Sequence, residues 1–270
     1  MMGPSHALSG AAGWLAGSLV LQNVAHLHQT PAQLAIGTVM CAGGALLPDM
    51  DMSGRVTSNK GGATVAHTFG VISLFVAECV EKISLGIYQL TRGPHDPDRD
   101  NGHRTFTHTL PFNVAVGAGT FELCLHYGKT AVLSVLFFTF AMALRGMFEK
   151  WAQRAGWLVV TLTAATATFL AYERLPAGRG YPILGLALGV GGLIHILGDM
   201  LTRHGCPVLW PFTVGRGRRW RCVGVPDAVA VKVGGKVEVY LLRTAFWLVS
   251  LVAASRLLYE PVLHRLNIKV

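Results

Sequence analysis

Charged side chains are scarce in this sequence. Asp, Glu, Lys and Arg make up 14% of the 270 residues, whereas a soluble domain usually carries about 25%. Hydrophobic residues make up 51%, and the mean hydropathy is +0.45. This balance disfavours a soluble globular protein. It predicts a membrane protein with room for roughly six to eight spanning helices.

Acidic residues are the rarer part of this small charged fraction. Asp and Glu number 14 against 23 Lys and Arg, which gives a formal net charge of +9. In a soluble protein this excess would favour nucleic acid as a partner. In a membrane protein it more often marks cytoplasmic loops and contacts with anionic lipid. We therefore expect the lipid bilayer, rather than nucleic acid, to be the partner of this chain.

Closely spaced cysteine pairs are absent. The five cysteines are scattered and none forms a Cys-x-x-Cys motif, which argues against a disulfide framework or a zinc ribbon. The first residues also lack the basic stretch of a signal peptide, so we expect a retained helix there.

Long apolar stretches, by contrast, recur along the chain. Residues 64–90 differ from the others because Glu78, Glu81 and Lys82 lie near the middle, where three charges would be costly in a spanning helix. We predict an amphipathic helix at the membrane interface for this segment. The fold class is all-α, a polytopic transmembrane bundle of about seven spanning helices plus this interfacial helix. The predicted spans are residues 7–25, 32–47, 109–128, 130–148, 156–172, 182–201 and 240–259.

Two polar regions interrupt the bundle. Residues 64–102 are expected to form an insertion, in which the interfacial helix is followed by the loop "TRGPHDPDRDNG". Residues 206–239 form a basic loop with alternating valines, for which we expect a small irregular or β-hairpin cytoplasmic cap. The arginines of this loop could bind anionic lipid headgroups, or they could serve simply as a topology signal. They are Arg216, Arg218, Arg219 and Arg221. We treat residues 1–270 as one membrane-embedded domain.

The order of the spans brings the unusual polar residues to one side of the membrane. If residues 64–90 do not cross the membrane, the His and Asp motifs all lie on the same membrane face, because each motif stands at the end of a span that reaches this face. The loops on that face also hold most of the Lys and Arg residues, so the positive-inside rule makes it cytoplasmic. We therefore expect a multi-pass protein of the inner membrane with its active site facing the cytoplasm.

Four short motifs on that face carry imidazole and carboxylate groups: "PSHALSG", "LLPDMD", "HRTFTH" and "HILGD". His195 and Asp199 are four residues apart and so share one helix face. Nitrogen and oxygen donors without thiolate suit zinc, manganese or iron. The candidate ligands exceed one tetrahedral shell and predict two divalent ions. They are His6, Asp49, Asp51, His103, His108, His195 and Asp199.

Simpler interpretations exist for each motif taken alone. A lone histidine near a helix end is usually structural, and Asp-x-Asp after a helix is often turn chemistry. Asp199 could orient His195 without touching a metal. His67 is a lesser candidate ligand, and it could instead simply face the membrane interface. All four polar clusters are predicted to lie at one face of a hydrophobic protein, and this favours a metal site over the simpler interpretations.

These motifs, together with "HILGDMLTRHGCPVLWPF", resemble the LexA-regulated, membrane-bound metal-dependent hydrolase family (YdjM-like) over nearly the whole chain. The resemblance implies the seven ligands above, with zinc as the expected metal and manganese or iron as alternatives. Arg104 and Thr202 also fall on motif positions, and Glu238 stands where the family tends to have an acidic residue. Thr105 replaces a usual glycine. The pattern is distantly similar to zinc-dependent phospholipase C.

The sequence therefore predicts a membrane-bound metal-dependent hydrolase. Its expected substrate is anionic and contains phosphate, as a phospholipid or another lipid-linked phosphate. The candidate catalytic residues are Asp51, Arg104 and Thr202. Two alternatives stay open: a non-catalytic metal-binding transporter or sensor, and a membrane-anchored nucleic-acid phosphodiesterase.

Overall fold

The computed structural model describes residues 1–52, 67–175, 181–213 and 217–265, with side chains as far as Tyr259. These residues form eight α-helices and three short 3-10 or π turns, and they contain no β-strand. The all-α prediction is confirmed. The helices are α1 (Gly3–Ala25), α2 (Pro31–Gly44), α3 (Val71–Thr91), α4 (Leu110–His126), α5 (Gly128–Met147), α6 (Glu149–Tyr172), α7 (Pro182–Met200) and α8 (Arg243–Arg265).

Local sequence signals set the helix ends that carry the motifs. Proline stands in the first turn of α1, α2, α4 and α7, where its missing N–H costs no hydrogen bond. Thr109 caps α4 by accepting a hydrogen bond from the Phe112 N–H at 3.3 Å. Thr109 directly follows the "HRTFTH" motif, so this cap fixes the position of the motif relative to the start of α4.

Helix α7 lies at the centre of the bundle and packs against α1, α2 and α4. Glycines permit this close approach. A Cβ added at Gly191 would lie 2.3 Å from the Cys41 carbonyl oxygen of α2. One added at Gly117 of α4 would lie 2.9 Å from the Gly189 Cα of α7. Small residues at helix contacts are typical of membrane bundles.

Five helical stretches among the described residues are long and apolar enough to cross a membrane: Pro31–Asp51, Gly128–Met147, Glu149–Tyr172, Pro182–Met200 and Val237–Tyr259. Helices α1 and α4 also form where spans were predicted, but they are not among these five. A multi-pass arrangement is therefore supported, and the count of seven spans stays a prediction.

Helix α3 buries Glu81 and exposes apolar side chains together with the Glu78–Lys82 ion pair, so its interfacial position stays a prediction. Glu81 is buried, and its carboxylate accepts a hydrogen bond from the Gly102 N–H at 2.9 Å. Large apolar side chains such as Val71, Phe75 and Leu90 are exposed. The helix packs against the turns Pro48–Asp51 and Phe106–His108, which carry site residues. Residues 64–66 of the predicted segment lie outside the described residues.

The basic loop forms the irregular alternative rather than a β-hairpin in its described part. Its valines pair with the chain that leaves α7: the N–H groups of Val225 and Val231 donate to Met200 and Leu201 carbonyls, each at 2.9 Å. Val223 pairs with Cys206 in one isolated bridge. The loop therefore covers the end of α7. Arg216 lies outside the described residues.

Candidate metal centre

The structure brings all seven predicted ligands together at one end of the bundle. They come from the start of α1, the turn after α2, the segment before α4 and the last two turns of α7. Candidate ligand atoms form two groups, and within each group they lie within 4.8 Å of one another. The groups are Asp49, Asp51, His103 and His108, and then His6, His195 and Asp199.

Asp51 organises the first group. Its side chain is fully buried, and Oδ1 lies 2.8 Å from His103 Nδ1. Its Oδ2 accepts hydrogen bonds from the Thr107 hydroxyl at 2.6 Å and the Arg104 N–H at 3.2 Å. These bonds tie the "HRTFTH" segment to the end of α2, so Asp51 fixes the positions of the two histidines.

The second group is built around two stacked imidazoles. The rings of His6 and His195 lie 3.7 Å apart, centroid to centroid, and the Asp199 Oδ1 lies 3.3 Å from His6 Nε2. The amino group of Met1 also contacts this carboxylate. His6 is fully buried, and within the described residues its Nδ1 has no hydrogen-bond partner. A buried polar atom without a partner is costly, and metal coordination would satisfy it.

The two groups meet where His108 and His195 face each other. Their Nε2 atoms are 3.2 Å apart. The Asp49 Oδ1 lies 3.5 Å from His108 Nε2 and 3.7 Å from His195 Nε2. The Asp199 Oδ2 lies 3.8 Å from each. Two nitrogens and two carboxylates therefore converge on one small volume.

The hydrogen bonds of these two histidines determine where their lone pairs point. His195 Nδ1 lies 2.8 Å from the Ala45 carbonyl oxygen, which only accepts, so Nδ1 carries the hydrogen. The Thr107 hydroxyl donates to Asp51, so its oxygen accepts from His108 Nδ1 at 3.0 Å. In the neutral rings both Nε2 atoms then carry lone pairs directed at each other. A proton on His108 or a cation between the two atoms would relieve this arrangement, and the donor set fits a divalent metal.

The charge balance around His108 favours a positive charge, carried either by a proton on the ring or by a bound cation. Burial alone would lower the pKa of His108, but the Asp51 and Asp49 carboxylates outweigh it and raise the pKa to about 9. The protein therefore stabilises positive charge at this position.

A family model described as "YdjM inner membrane protein" matches residues 1–262 of the chain. The chain belongs to the YdjM inner membrane protein family. The match includes all the site residues, so the resemblance drawn from the motifs is confirmed. No curated protein and no solved structure matches the chain. Family membership and the apolar helices together identify a multi-pass membrane protein.

In this YdjM-family protein, Arg104 spans the two ligand groups. Its backbone N–H binds Asp51, and its Nη2 lies 2.8 Å from the Asp199 Oδ2. Its Nη1 donates to the Thr202 hydroxyl at 3.3 Å, which in turn donates to the Asp199 carbonyl at 2.7 Å. The φ of Arg104 is 56°, a left-handed conformation that is unfavourable for a residue other than glycine. Such strain is often found at functional sites.

Two further candidates lie outside both ligand groups. His67 is exposed. Glu238 is fully buried, but its carboxylate accepts hydrogen bonds from the Met2 N–H at 2.6 Å and the Gly234 N–H at 2.8 Å. Glu238 therefore anchors the chain just before α1, which helps to place His6.

The sequence interpretation missed two residues that support the YdjM-family site. Thr107 connects Asp51 to His108, as described above. Asn113 donates from Nδ2 to the carbonyl oxygens of Thr107 and Thr109, each at 2.9 Å. An asparagine in an otherwise apolar segment was the available signal for the second residue.

Proposed function

We propose that this YdjM-family protein is a membrane-bound hydrolase that uses two divalent ions to cleave a phosphoester in a phospholipid or another lipid-linked phosphate. The observation that carries the proposal is the meeting of two nitrogen and oxygen donor groups, with the Nε2 atoms of His108 and His195 only 3.2 Å apart. Zinc suits these donors, with manganese or iron as alternatives. Bound ions would supply an activated water and polarise a phosphoryl oxygen.

The exposure of the ligands indicates where a substrate would enter. The side chains of His6, His108 and His195 have no exposed surface. His103 is 20% exposed, Arg104 13% and Asp49 12%. A phosphate would therefore approach over these three residues and meet the Arg104 guanidinium, whose planar set of donors suits phosphate oxygens.

The remaining candidate catalytic residues would act by positioning. Thr202 is fully buried and holds the Arg104 side chain through one hydrogen bond. Asp51 is surrounded by donors from the "HRTFTH" segment, which supports a role in orienting His103 and His108. Ligating histidines commonly depend on such outer partners.

The position of the ligands favours an enzyme over a transporter. Transporter sites typically lie near the middle of the membrane on broken helices. Here His6 lies in the second turn of α1, Asp49 follows α2, and Asp199 lies in the last turn of α7. With seven spans, and α3 lying at the interface, this end of the bundle would face the cytoplasm.

Hydrolysis can be tested with purified full-length protein loaded with zinc or manganese. We expect release of product from a phospholipid or an aryl phosphodiester, and loss of that activity on chelation. His108→Ala should reduce kcat/KM by more than about a hundredfold, because loss of a ligand exceeds the ~10–100-fold effect of an outer partner. His126→Ala is the matched control, since His126 is 62% exposed and pairs with Glu122.

Two results would refute the proposal. One is a metal-loaded protein that cleaves none of these phosphoesters. The other is activity that persists in the chelated protein and in His108→Ala. A clear preference for single-stranded nucleic acid over both phosphoesters would instead support a nucleic-acid phosphodiesterase.

A further inference from the structure

An apolar cavity of about 380 Å³ lies between α3, α5 and α6. Its size falls within the range of roughly 300–1,000 Å³ that is typical of small-molecule sites. Most of its lining is aliphatic or aromatic, and no charged side chain of the described residues lines it. Its walls include Met50, Phe69, Val76, Phe138 and Trp157.

The cavity adjoins the candidate metal centre through a single turn of chain. Met50 lines the cavity, and its neighbours Asp49 and Asp51 belong to the first ligand group. The same turn therefore forms a wall of the cavity and a side of the site. Helix α3 is held to the chain just before the "HRTFTH" segment by the hydrogen bond from the Gly102 N–H to Glu81.

The surroundings of the cavity indicate what it would hold. Helices α5 and α6 are two of the stretches that are apolar enough to span a membrane. Helix α3 exposes Ile72 and Phe75 beside them, and Ile72 also lines the cavity. An apolar cavity binds water poorly, whereas burial of a hydrocarbon chain is favourable. Among the described residues that line the cavity, a hydrocarbon chain would meet no charged side chain.

We propose that this cavity binds one hydrocarbon chain of the substrate while the attached phosphate lies at the metal centre. The substrate class is then a lipid phosphoester with its chain on the α3 side of the site. This inference rests on the proposed function, because it takes the phosphate position from that proposal.

Two matched valine substitutions on α3 test the inference by kinetics. Val76→Phe fills the cavity, whereas Val71→Phe adds the same atoms at a position that is 80% exposed. We expect Val76→Phe to lower kcat/KM for a long-chain phospholipid about tenfold, mainly through KM, the equivalent of losing roughly two buried methylene groups. Activity on a water-soluble aryl phosphodiester should not change, and Val71→Phe should match the wild type on both substrates.

A labelling experiment tests the same cavity without hydrolysis. The probe is a long-chain alkylphosphonate with a photoreactive diazirine at the end of its chain. We expect cross-links at residues 69–77 or 137–142, mapped by peptide mass spectrometry, which are lost in Val76→Phe and kept in Val71→Phe. This result would stand even if no phosphoester were hydrolysed, so it separates failure of the proposed function from failure of the cavity assignment.

The opposite results would overturn the inference. In the kinetic test, these are equal effects of the two valine substitutions, or an equal loss on the soluble and long-chain substrates. In the labelling test, they are cross-links that fall elsewhere in the chain, or no cross-linking above that of a probe without an alkyl chain.

Discussion

The hydroxyl of Thr107 connects two of the candidate ligands, Asp51 and His108. It donates to Asp51 and accepts from His108 Nδ1, so it fixes the His108 tautomer whose Nε2 faces His195. An outer partner of this kind both orients a ligating ring and sets which nitrogen is free. Loss of the hydroxyl would therefore leave the ligands present but poorly ordered.

Thr107→Val should weaken binding of the metal about 10–100-fold, because it keeps the shape of the side chain but removes both hydrogen bonds. Thr107→Ser keeps the hydroxyl and should bind metal like the wild type. Competition with a fluorescent chelator measures both affinities. Equal affinities for the valine variant and the wild type would show that Thr107 does not position His108.

The clustering of the candidate ligands could be predicted from the sequence, but the residues that support them could not. His195 and Asp199 are recognisable because a polar pair on one face of an apolar helix is unusual. The carbonyl of Ala45, which fixes the His195 tautomer, leaves no trace in the sequence because every residue has a carbonyl. Thr107 is a common residue type, so only the fold reveals what it contacts.

At the scale of helices, the contact between α4 and α7 holds two ligand-bearing segments together. Gly117 and Gly189 allow the two backbones to approach, and Asn113 at the start of α4 supports the preceding motif. A larger side chain at the contact would push α4 away from α7. The "HRTFTH" segment would then move relative to His195.

Gly117→Leu should lower the free energy of unfolding by about 1–3 kcal/mol or more, because an added Cβ would lie 2.9 Å from the Gly189 Cα. Gly119→Leu is the matched control on the same helix, since no atom lies within 4 Å of an added Cβ there. Thermal unfolding in detergent, followed by fluorescence, compares the two variants. Similar melting temperatures for both would contradict the close contact of α4 with α7.

The helices themselves were mostly predictable, because long apolar runs have few alternatives in a membrane protein. The predicted span 156–172 corresponds to the second of two helical pieces in α6, because Gly156, with φ of 81° and ψ of 164°, is non-helical and interrupts Glu149–Tyr172. The valines of the basic loop were compatible with a hairpin, but they pair with the end of α7 instead. An alternating pattern of valines shows that a segment can form backbone hydrogen bonds, but it does not show which distant segment will be its partner.

The topology of the whole molecule determines whether the site faces the cytoplasm. The order of the segments predicted that the four motifs meet at one end, and the structure brings their seven ligands together. Such a meeting is compatible with α3 lying along the interface instead of crossing. The exposed Arg218, Arg219 and Arg221 lie in the loop that covers this end, as the positive-inside rule requires of a cytoplasmic face.

Single cysteines introduced at Asp100 and Arg218 should react with an impermeant maleimide only from the cytoplasmic side. A cysteine at Lys129, near the start of α5, should react only from the opposite side. The five native cysteines are free and would first be replaced. Labelling of intact cells and inverted vesicles provides the comparison. Opposite accessibility of the Asp100 and Arg218 positions would rule out the proposed topology.

Metal analysis of the purified protein tests the central claim most directly. After metal-replete expression, elemental analysis should find about two divalent ions per wild-type chain. His195→Ala and Asp49→Ala should each reduce the bound metal, while the exposed His126→Ala control should retain it. A wild-type protein that carries no stoichiometric metal under these conditions would contradict the claim that the seven ligands form a metal centre.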